Sequence, residues 1–154
     1  MTIYFYKVYN PYGCFSNFSP HGIHLDGKDW QTVEHYYQAQ KFKGTADEWV
    51  MREIWQAPTP EEAARLGRDS CRTYREDWSE AKTTVMRRAV FTKFLTHGEI
   101  QAVLLGTGDE EIVEDSPRDD FWGCGADRTG QNHLGKILMS VRDEIRQMRR
   151  VDRP

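Results

Sequence analysis

The chain predicts an α+β domain, compact and mainly helical, with a small N-terminal β-sheet or hairpin. Three observations carry this. Six segments combine helix start and stop signals with 3.6-residue apolar spacing, and β-type patterns are confined to short stretches. The composition, 154 residues with 38% hydrophobic and 29% charged side chains, suits one soluble core. With no internal repeat or low-complexity linker, residues 1–154 are expected to form a single domain, its core running from about residue 3 to 148.

The elements follow in order. Ile3 to Val8 is aromatic and β-branched enough for a strand. Gly22-Ile23-His24-Leu25 before Asp26-Gly27 is a hairpin signal, because Asp-Gly accepts the positive φ angles of a tight turn. Thr32 can cap a helix reaching about Phe42 and stopped by Gly44, and a second helix spans Asp47 to Gln56. Thr59-Pro60-Glu61-Glu62 opens a third, closed by Gly67. Asp77-Trp78-Ser79-Glu80 begins a longer helix with Val85, Met86, Ala89, Val90 and Phe94 as its apolar stripe, ending at Gly98. A short helix carries Ile100, Val103 and Leu104, and Glu111 to Glu114 is a strand. After the loop Asp115 to Gln131, the last helix places Leu134, Ile137, Leu138, Val141, Ile145 and Met148 on one face.

Composition narrows the function. No apolar run exceeds four residues, against about 20 for a membrane span. The start lacks the basic and apolar regions of a signal peptide, so a cytoplasmic location is expected. Cys14, Cys71 and Cys124 form neither a disulfide framework nor a zinc motif, and the five histidines lack metal spacing and are expected at surface or capping positions. No metal and no cofactor is implied. Cys124, between two glycines and without a legible dyad partner, is expected to be a small filler rather than a nucleophile. The formal charge of −3 provides no general footprint for nucleic acid. The C-terminal run Arg142, Arg146, Arg149, Arg150 and Arg153 fits a solvated helix end, favoured by the dipole, better than a nucleic-acid arm.

Three segments carry more chemistry than core building requires. On the helix after Thr32, Glu34, Tyr37, Gln38 and Lys41 share one face at i, i+3, i+4, i+7 spacing. This face is either a solvated ladder or one wall of a cleft, and the neighbouring Trp30, Tyr36 and Phe42 argue for the cleft. The second segment, Ser116 to Gly135, holds Asp119, Asp120, Trp122 and the glycines Gly123, Gly125 and Gly130, running into Asn132 at a helix start. Glycines allow close backbone approach and helix-start amides attract anions, so a phosphate is expected near Gly125, Gly130 and Asn132. In the third, Tyr12 to Phe18, Ser16 and Asn17 can bond a ribose or base edge, or simply form a local turn, while Phe15 and Phe18 pack the loop down.

Taken together, Tyr12-Gly13-x-Phe15-Ser16-Asn17-Phe18, Trp30-x-Thr32-x-Glu34-His35-Tyr36-Tyr37-Gln38-Ala39-Gln40-Lys41-Phe42, Ala64-Arg65-Leu66-Gly67-Arg68, Asp119-x-Phe121-Trp122-Gly123 and Asn132-x-Leu134-Gly135 resemble the NADAR family, also called YbiA-like. The blocks run in order from about Phe5 to Arg142. The resemblance implies the YbiA-like fold and an N-glycosidase that cuts a ribose C1′–N bond. Its substrate would be an ADP-ribosyl or phosphoribosyl compound, such as ADP-ribosylated guanine, free or in DNA or RNA, or a riboflavin-pathway intermediate. Glu34 matches the family's catalytic glutamate, Asp119 its second carboxylate, and Trp78 and Trp122 its site tryptophans, while Lys41 occupies the lysine of the helix motif. Asp120 beside Asp119 departs from the pattern and leaves the choice between adjacent aspartates open.

The chemistry can be argued on its own terms. Breaking the bond leaves positive charge on the anomeric carbon and ring oxygen, which a buried Glu34 would stabilise, or it would orient the attacking water. Asp119 would move a proton or hold the ribose hydroxyls, Trp78 and Trp122 would stack on the base, and Arg68 with the glycine loop would take phosphate. Lys41 has two possible roles, an ion pair with Glu34 or Schiff-base attack on an opened ribose. The rival expectation from another class is a non-catalytic module binding ADP-ribose or NAD derivatives.

Overall fold

The computed structural model describes residues 1–152; Arg153, the last of the predicted basic run, lies outside the described residues. In chain order the elements are β1 (Ile3–Phe5), β2 (Ile23–Leu25), β3 (Lys28–Trp30), α1 (Val33–Gln40), α2 (Val50–Trp55), α3 (Pro60–Gly67), α4 (Trp78–Thr96), α5 (Gly98–Gly106), β4 (Ile112–Glu114) and α6 (His133–Val151). The class is the predicted one, α+β with helices dominant. Contacts gather into two units, one formed by Met1–Ser19 with the chain from Phe94 onward, the other by Pro20–Lys93.

In the first unit β1 pairs in parallel with β4, Ile3 opposite Ile112 and Phe5 opposite Glu114. The expected N-terminal hairpin is present as its own sheet, and β1 instead joins a strand more than 100 residues away. The strand is also shorter than Ile3 to Val8. Asn10 N donates to Lys7 O at 3.0 Å, so a turn takes over, and Gly13 then passes so close that a Cβ would lie 2.0 Å from Val8 O. Phe15 packs edge-on against Phe5 and Phe94, with centroids 5.8 and 5.9 Å away, which holds the aromatic loop down as expected.

Helix α6 buries Leu134, Ile137, Leu138, Val141 and Ile145, each such side chain contributing roughly 1.5–3 kcal/mol. Met148, predicted on the same face, is instead 39% exposed, since the helix has run past its apolar cover. Gly135 allows α6 to meet β4, where a Cβ would lie 2.1 Å from Ile112 O. Arg149 and Arg150 are exposed in the last turn as a solvated helix end requires, whereas the earlier arginines depart from that expectation. Arg142 is buried and donates to Thr107 Oγ1 and Glu110 O, both at 2.8 Å; Arg146 bonds Asp109 Oδ1 at 2.8 Å and Gly108 O; Arg149 bonds Gln101. These guanidiniums fasten α6 to α5 and its following turn.

In the second unit, Asp26 (φ 54°) and Gly27 (φ 78°) make the tight turn of an antiparallel hairpin in which Ile23 faces Trp30. Thr32 caps α1 by accepting from His35 N at 3.1 Å. Every residue of α1 is buried, because α2 and α3 both pack on it. Helix α1 stops at Gln40 rather than Phe42, and α2 starts at Val50 rather than Asp47: the intervening chain closes i to i+3 turns, Glu48 N to Thr45 O and Val50 N to Asp47 O. Thr59 Oγ1 accepts from Glu62 N at 3.1 Å, with Pro60 next in the chain, the predicted start of α3.

Candidate active site

The predicted helix face is buried, not a solvated ladder. Glu34, Gln38 and Lys41 are 5%, 2% and 7% exposed, and Tyr37 is buried beside them. Gln38 Nε2 donates to Glu34 Oε1 at 2.7 Å, orienting the carboxylate. That contact depends on a glycine one helix away. A Cβ on Gly67 would lie 2.1 Å from Gln38 Oε1, so α3 can approach α1 only with hydrogen there.

Lys41 follows the last turn of α1, where carbonyls favour a cation. Its Nζ donates to Gly67 O at 3.2 Å and stands 5.1 and 5.6 Å from the ring centroids of Tyr74 and Tyr37. Tyr74 Oη donates to the same carbonyl at 2.6 Å. Burial pulls the Lys41 ammonium down to about 8, with the charges of Arg68 and Lys82 acting in the same direction and Glu34 opposing them. Trp78 opens α4 and rests on Tyr37 at a centroid distance of 5.2 Å. Arg68 caps the C-terminus of α3 with its side chain exposed. The structure therefore brings Glu34, Tyr37, Gln38, Lys41, Arg68 and Trp78 together within the second unit. Sequence reasoning missed Tyr74, which lies in an aperiodic stretch, and took Gly67 only as a helix stop.

His35 corrects the expectation of a surface or capping histidine. It is fully buried, with Nδ1 2.7 Å from Thr32 Oγ1 and Nε2 3.0 Å from Ala57 O. A carbonyl only accepts, so Nε2 carries the proton and Nδ1 accepts from the Thr32 hydroxyl. Burial lowers its pKa, against the opposing pull of the Ala57 carbonyl and Glu61. This neutral imidazole joins the start of α1 to the turn before α3. Its signal in the sequence was its position on α1 opposite the expected cleft.

The remaining predicted residues lie in the first unit. Ser16 Oγ accepts from Phe18 N at 3.2 Å, the local turn that was one of its two readings; Asn17 is half-buried beside it. Asp119 Oδ1 accepts from Phe121 N at 3.0 Å and Trp122 N at 2.8 Å, a turn that orients the half-buried Trp122. Asp120 lies on the rim of a groove of about 520 Å³ that also includes Arg118, Gly125, Asp127 and Gly130.

The expected phosphate cradle is corrected here. The amides of Gly130, Gln131, Asn132, His133 and Leu134 donate to the carbonyls of Cys124, Asp120, Gly123, Phe121 and Trp122 at 2.7–3.0 Å. They are engaged within the loop, leaving none of these five for an anion. Asn132 (φ 53°) accepts from Glu114 N at 3.0 Å through Oδ1 and donates to Ile112 O at 2.9 Å through Nδ2, bracing β4. Gly123 and Gly130 allow the loop to fold on itself, and Gly125 (φ 72°) turns it. Cys124 is buried with Sγ 3.4 Å from Asp115 Oδ1, and burial raises its thiol, as suits a filler. Among the described residues, no three His, Cys, Asp or Glu side chains are grouped to hold a metal ion, and no helix is long and apolar enough to cross a membrane.

The second unit thus holds a buried carboxylate bonded to an amide, a buried amine of lowered pKa and aromatic rings beside them. The comparisons with known proteins give the class. The NADAR domain family model matches residues 4–146, and the chain belongs to the NADAR family. It is 65% identical to N-glycosidase Npun_R5314 of Nostoc punctiforme, over 96% of this chain and 95% of that protein. It is 43% identical to N-glycosidase YbiA of Escherichia coli, over 93% and 88%. The riboflavin biosynthesis protein PYRR of Zea mays is 44% identical over 93% of this chain, which spans only 25% of that longer protein. The NMR structure of E. coli YbiA superimposes with a TM-score of 0.89 at 40% identity, covering 99% of this chain and 89% of that one.

Proposed function

We propose that this N-glycosidase hydrolyses the ribose C1′–N bond of an ADP-ribosyl or phosphoribosyl compound, with Glu34 as its catalytic carboxylate. As the C1′–N bond breaks, its electron pair leaves with the nitrogen and positive charge spreads over C1′ and the ring oxygen. Glu34 opposes that charge, and water completes the reaction at C1′. Gln38 keeps Glu34 turned toward the sugar, Tyr37 and Trp78 supply an aromatic wall, and Arg68 takes phosphate. Asp119 is carried over from the family pattern as the second carboxylate, moving a proton or holding ribose hydroxyls, and Trp122 as the second stacking tryptophan.

The observation that carries the reading is the Glu34 carboxylate, 5% exposed, with one oxygen held by Gln38 Nε2 at 2.7 Å. Glu34→Gln is expected to lower turnover by about 10²–10³-fold, the scale of losing one transition-state electrostatic partner, while ADP-ribose stays bound. Unchanged turnover would reject the assignment; a wild-type protein that binds ADP-ribose without releasing a base would favour the binding-module reading. Two leaving groups compete, guanine and a riboflavin-precursor heterocycle. Product analysis with ADP-ribosylated guanosine and riboflavin precursors offered side by side separates them.

The Lys41 pKa of about 8 favours a second reading of that residue. A good fraction of neutral amine near pH 8 can add to the aldehyde of an opened ribose, losing water to form an imine. Borohydride treatment during turnover should then trap a covalent adduct on Lys41, whereas an ion-pair role leaves the protein unmodified.

A further inference from the structure

A second feature of the same unit lies outside every role given so far. Trp49, just before α2, is 54% exposed, the most exposed of the five tryptophans, and its burial adds little to the core. One face is covered by the Arg72 guanidinium, centred 4.6 Å from the ring, and Arg72 is held by Asp69 through a 3.6 Å contact. The segment between them is short and ordered: Arg72 N donates to Asp69 O at 3.2 Å, and Thr73 N donates to Asp47 Oδ2 at 2.7 Å, which fastens the arginine segment to the approach to α2.

The other end of that segment is the proposed site. Gly67 O receives Lys41 Nζ, Arg68 is the next residue, and four positions later comes Arg72 on Trp49. Tyr74, two residues beyond Arg72, donates to the same Gly67 carbonyl that receives Lys41 Nζ, and Arg75 N donates to Lys41 O at 2.7 Å, so the segment that carries Arg72 borders the buried amine. A ligand with its sugar at that amine and a phosphorylated arm along this segment would meet guanidinium groups and then a planar indole face. Guanidinium forks suit phosphate oxygens, and an indole face suits any nucleobase.

We propose that Trp49 and Arg72 form an outer subsite for the distal base and phosphate of a nucleoside 5′-diphosphate arm attached to the ribose held at Glu34. This rests on the reading of Glu34 and Lys41 as the sugar site, and it distinguishes an ADP-ribosyl substrate from one ending in a single 5′-phosphate. Trp49 would stack the base on its open face, while Arg72 turns a donor edge toward the outer phosphate.

The test uses the full chain with Trp49→Ala and Arg72→Gln, both at surface positions. KM and kcat are measured for an ADP-ribosyl and a 5-phosphoribosyl substrate, and ADP and ribose 5-phosphate are titrated by calorimetry. We expect each variant to raise KM for the ADP-ribosyl substrate and Kd for ADP about tenfold, the scale of one stacked base, with kcat and all ribose 5-phosphate values unchanged. Equal losses for both ligands, or no change in either, overturn the subsite. ADP titration does not require turnover, so failure of Glu34 as the catalytic group would leave this result readable.

Discussion

Lys41 shows what one buried residue contributes and costs. Its amine is ordinarily protonated up to about 10.5, but burial brings it down to about 8. Below pH 8 the side chain is charged in both folded and unfolded chains, and the folded one carries the desolvation penalty, on the order of 3 kcal/mol. As pH rises from 8 toward 10.5, the folded form sheds its proton first, the unfolded chain binds more protons, and stability increases. Lys41→Met is therefore expected to raise the unfolding midpoint at pH 7, with the gain fading by about pH 10.5, while abolishing activity under either role of the amine. Chemical denaturation at the two pH values checks this; an equal effect at both would show that burial is not the cause. Tyr74 should reveal itself in the same residue. Its hydroxyl shares Gly67 O with Lys41, so Tyr74→Phe leaves that carbonyl to the ammonium alone and should move the kcat limb set by Lys41, alkaline for an ion-pair role and acid for a neutral attacking amine, upward by a fraction of a pH unit.

Between elements, the critical contact is α3 against α1. Gly67→Ala would drive a methyl into Gln38, and such overpacking costs about 1–3 kcal/mol. It would also displace the amide that orients Glu34, so kcat should fall together with the thermal midpoint, whereas an exposed glycine change such as Gly98→Ala should alter neither. This level also separates what could be read from the sequence from what could not. The Thr32 and Thr59 caps, the Asp26-Gly27 turn and the apolar stripe of α6 are local signals, and each is present in the fold. Spacing groups Glu34, Tyr37, Gln38 and Lys41 on one face of α1 but fits a solvated ladder as well; the neighbouring aromatics are the signal for the burial that the structure shows. The pairing of β1 with β4 was not legible, since main-chain bonds between distant segments leave no residue pattern. The same blindness misled the reading of the Gly125 to Asn132 loop: its glycines and helix start resemble an anion cradle, but carbonyls of residues 120–124 already occupy the amides. The expectation that Asn132 binds substrate meets the same obstacle, since its side-chain amide bonds Glu114 N and Ile112 O along β4.

For the chain as a whole, charge decides how it meets its substrate. The formal total is −3, and the basic cluster that could have offset it is largely tied down, with Arg142, Arg146 and Arg149 bonded to groups of α5 and the turn after it. Affinity for duplex nucleic acid depends on releasing counterions from many phosphates, and six to ten contacts lose roughly 10³–10⁵ in affinity between 50 and 200 mM salt. The proposed site, which would grip one ribose and its own phosphates, has no such lever. Exposed Arg68 and half-buried Arg72 would respond to screening only as two local charges. Over that salt range KM for a modified nucleoside should therefore rise by less than about fivefold, and placing the same modified base within a long duplex should not tighten binding. Steady-state kinetics on the two substrates at both salt concentrations checks this. A duplex substrate bound much more tightly at low salt, with a steep loss on adding salt, would mean that a cationic surface outside the Glu34 site governs recognition.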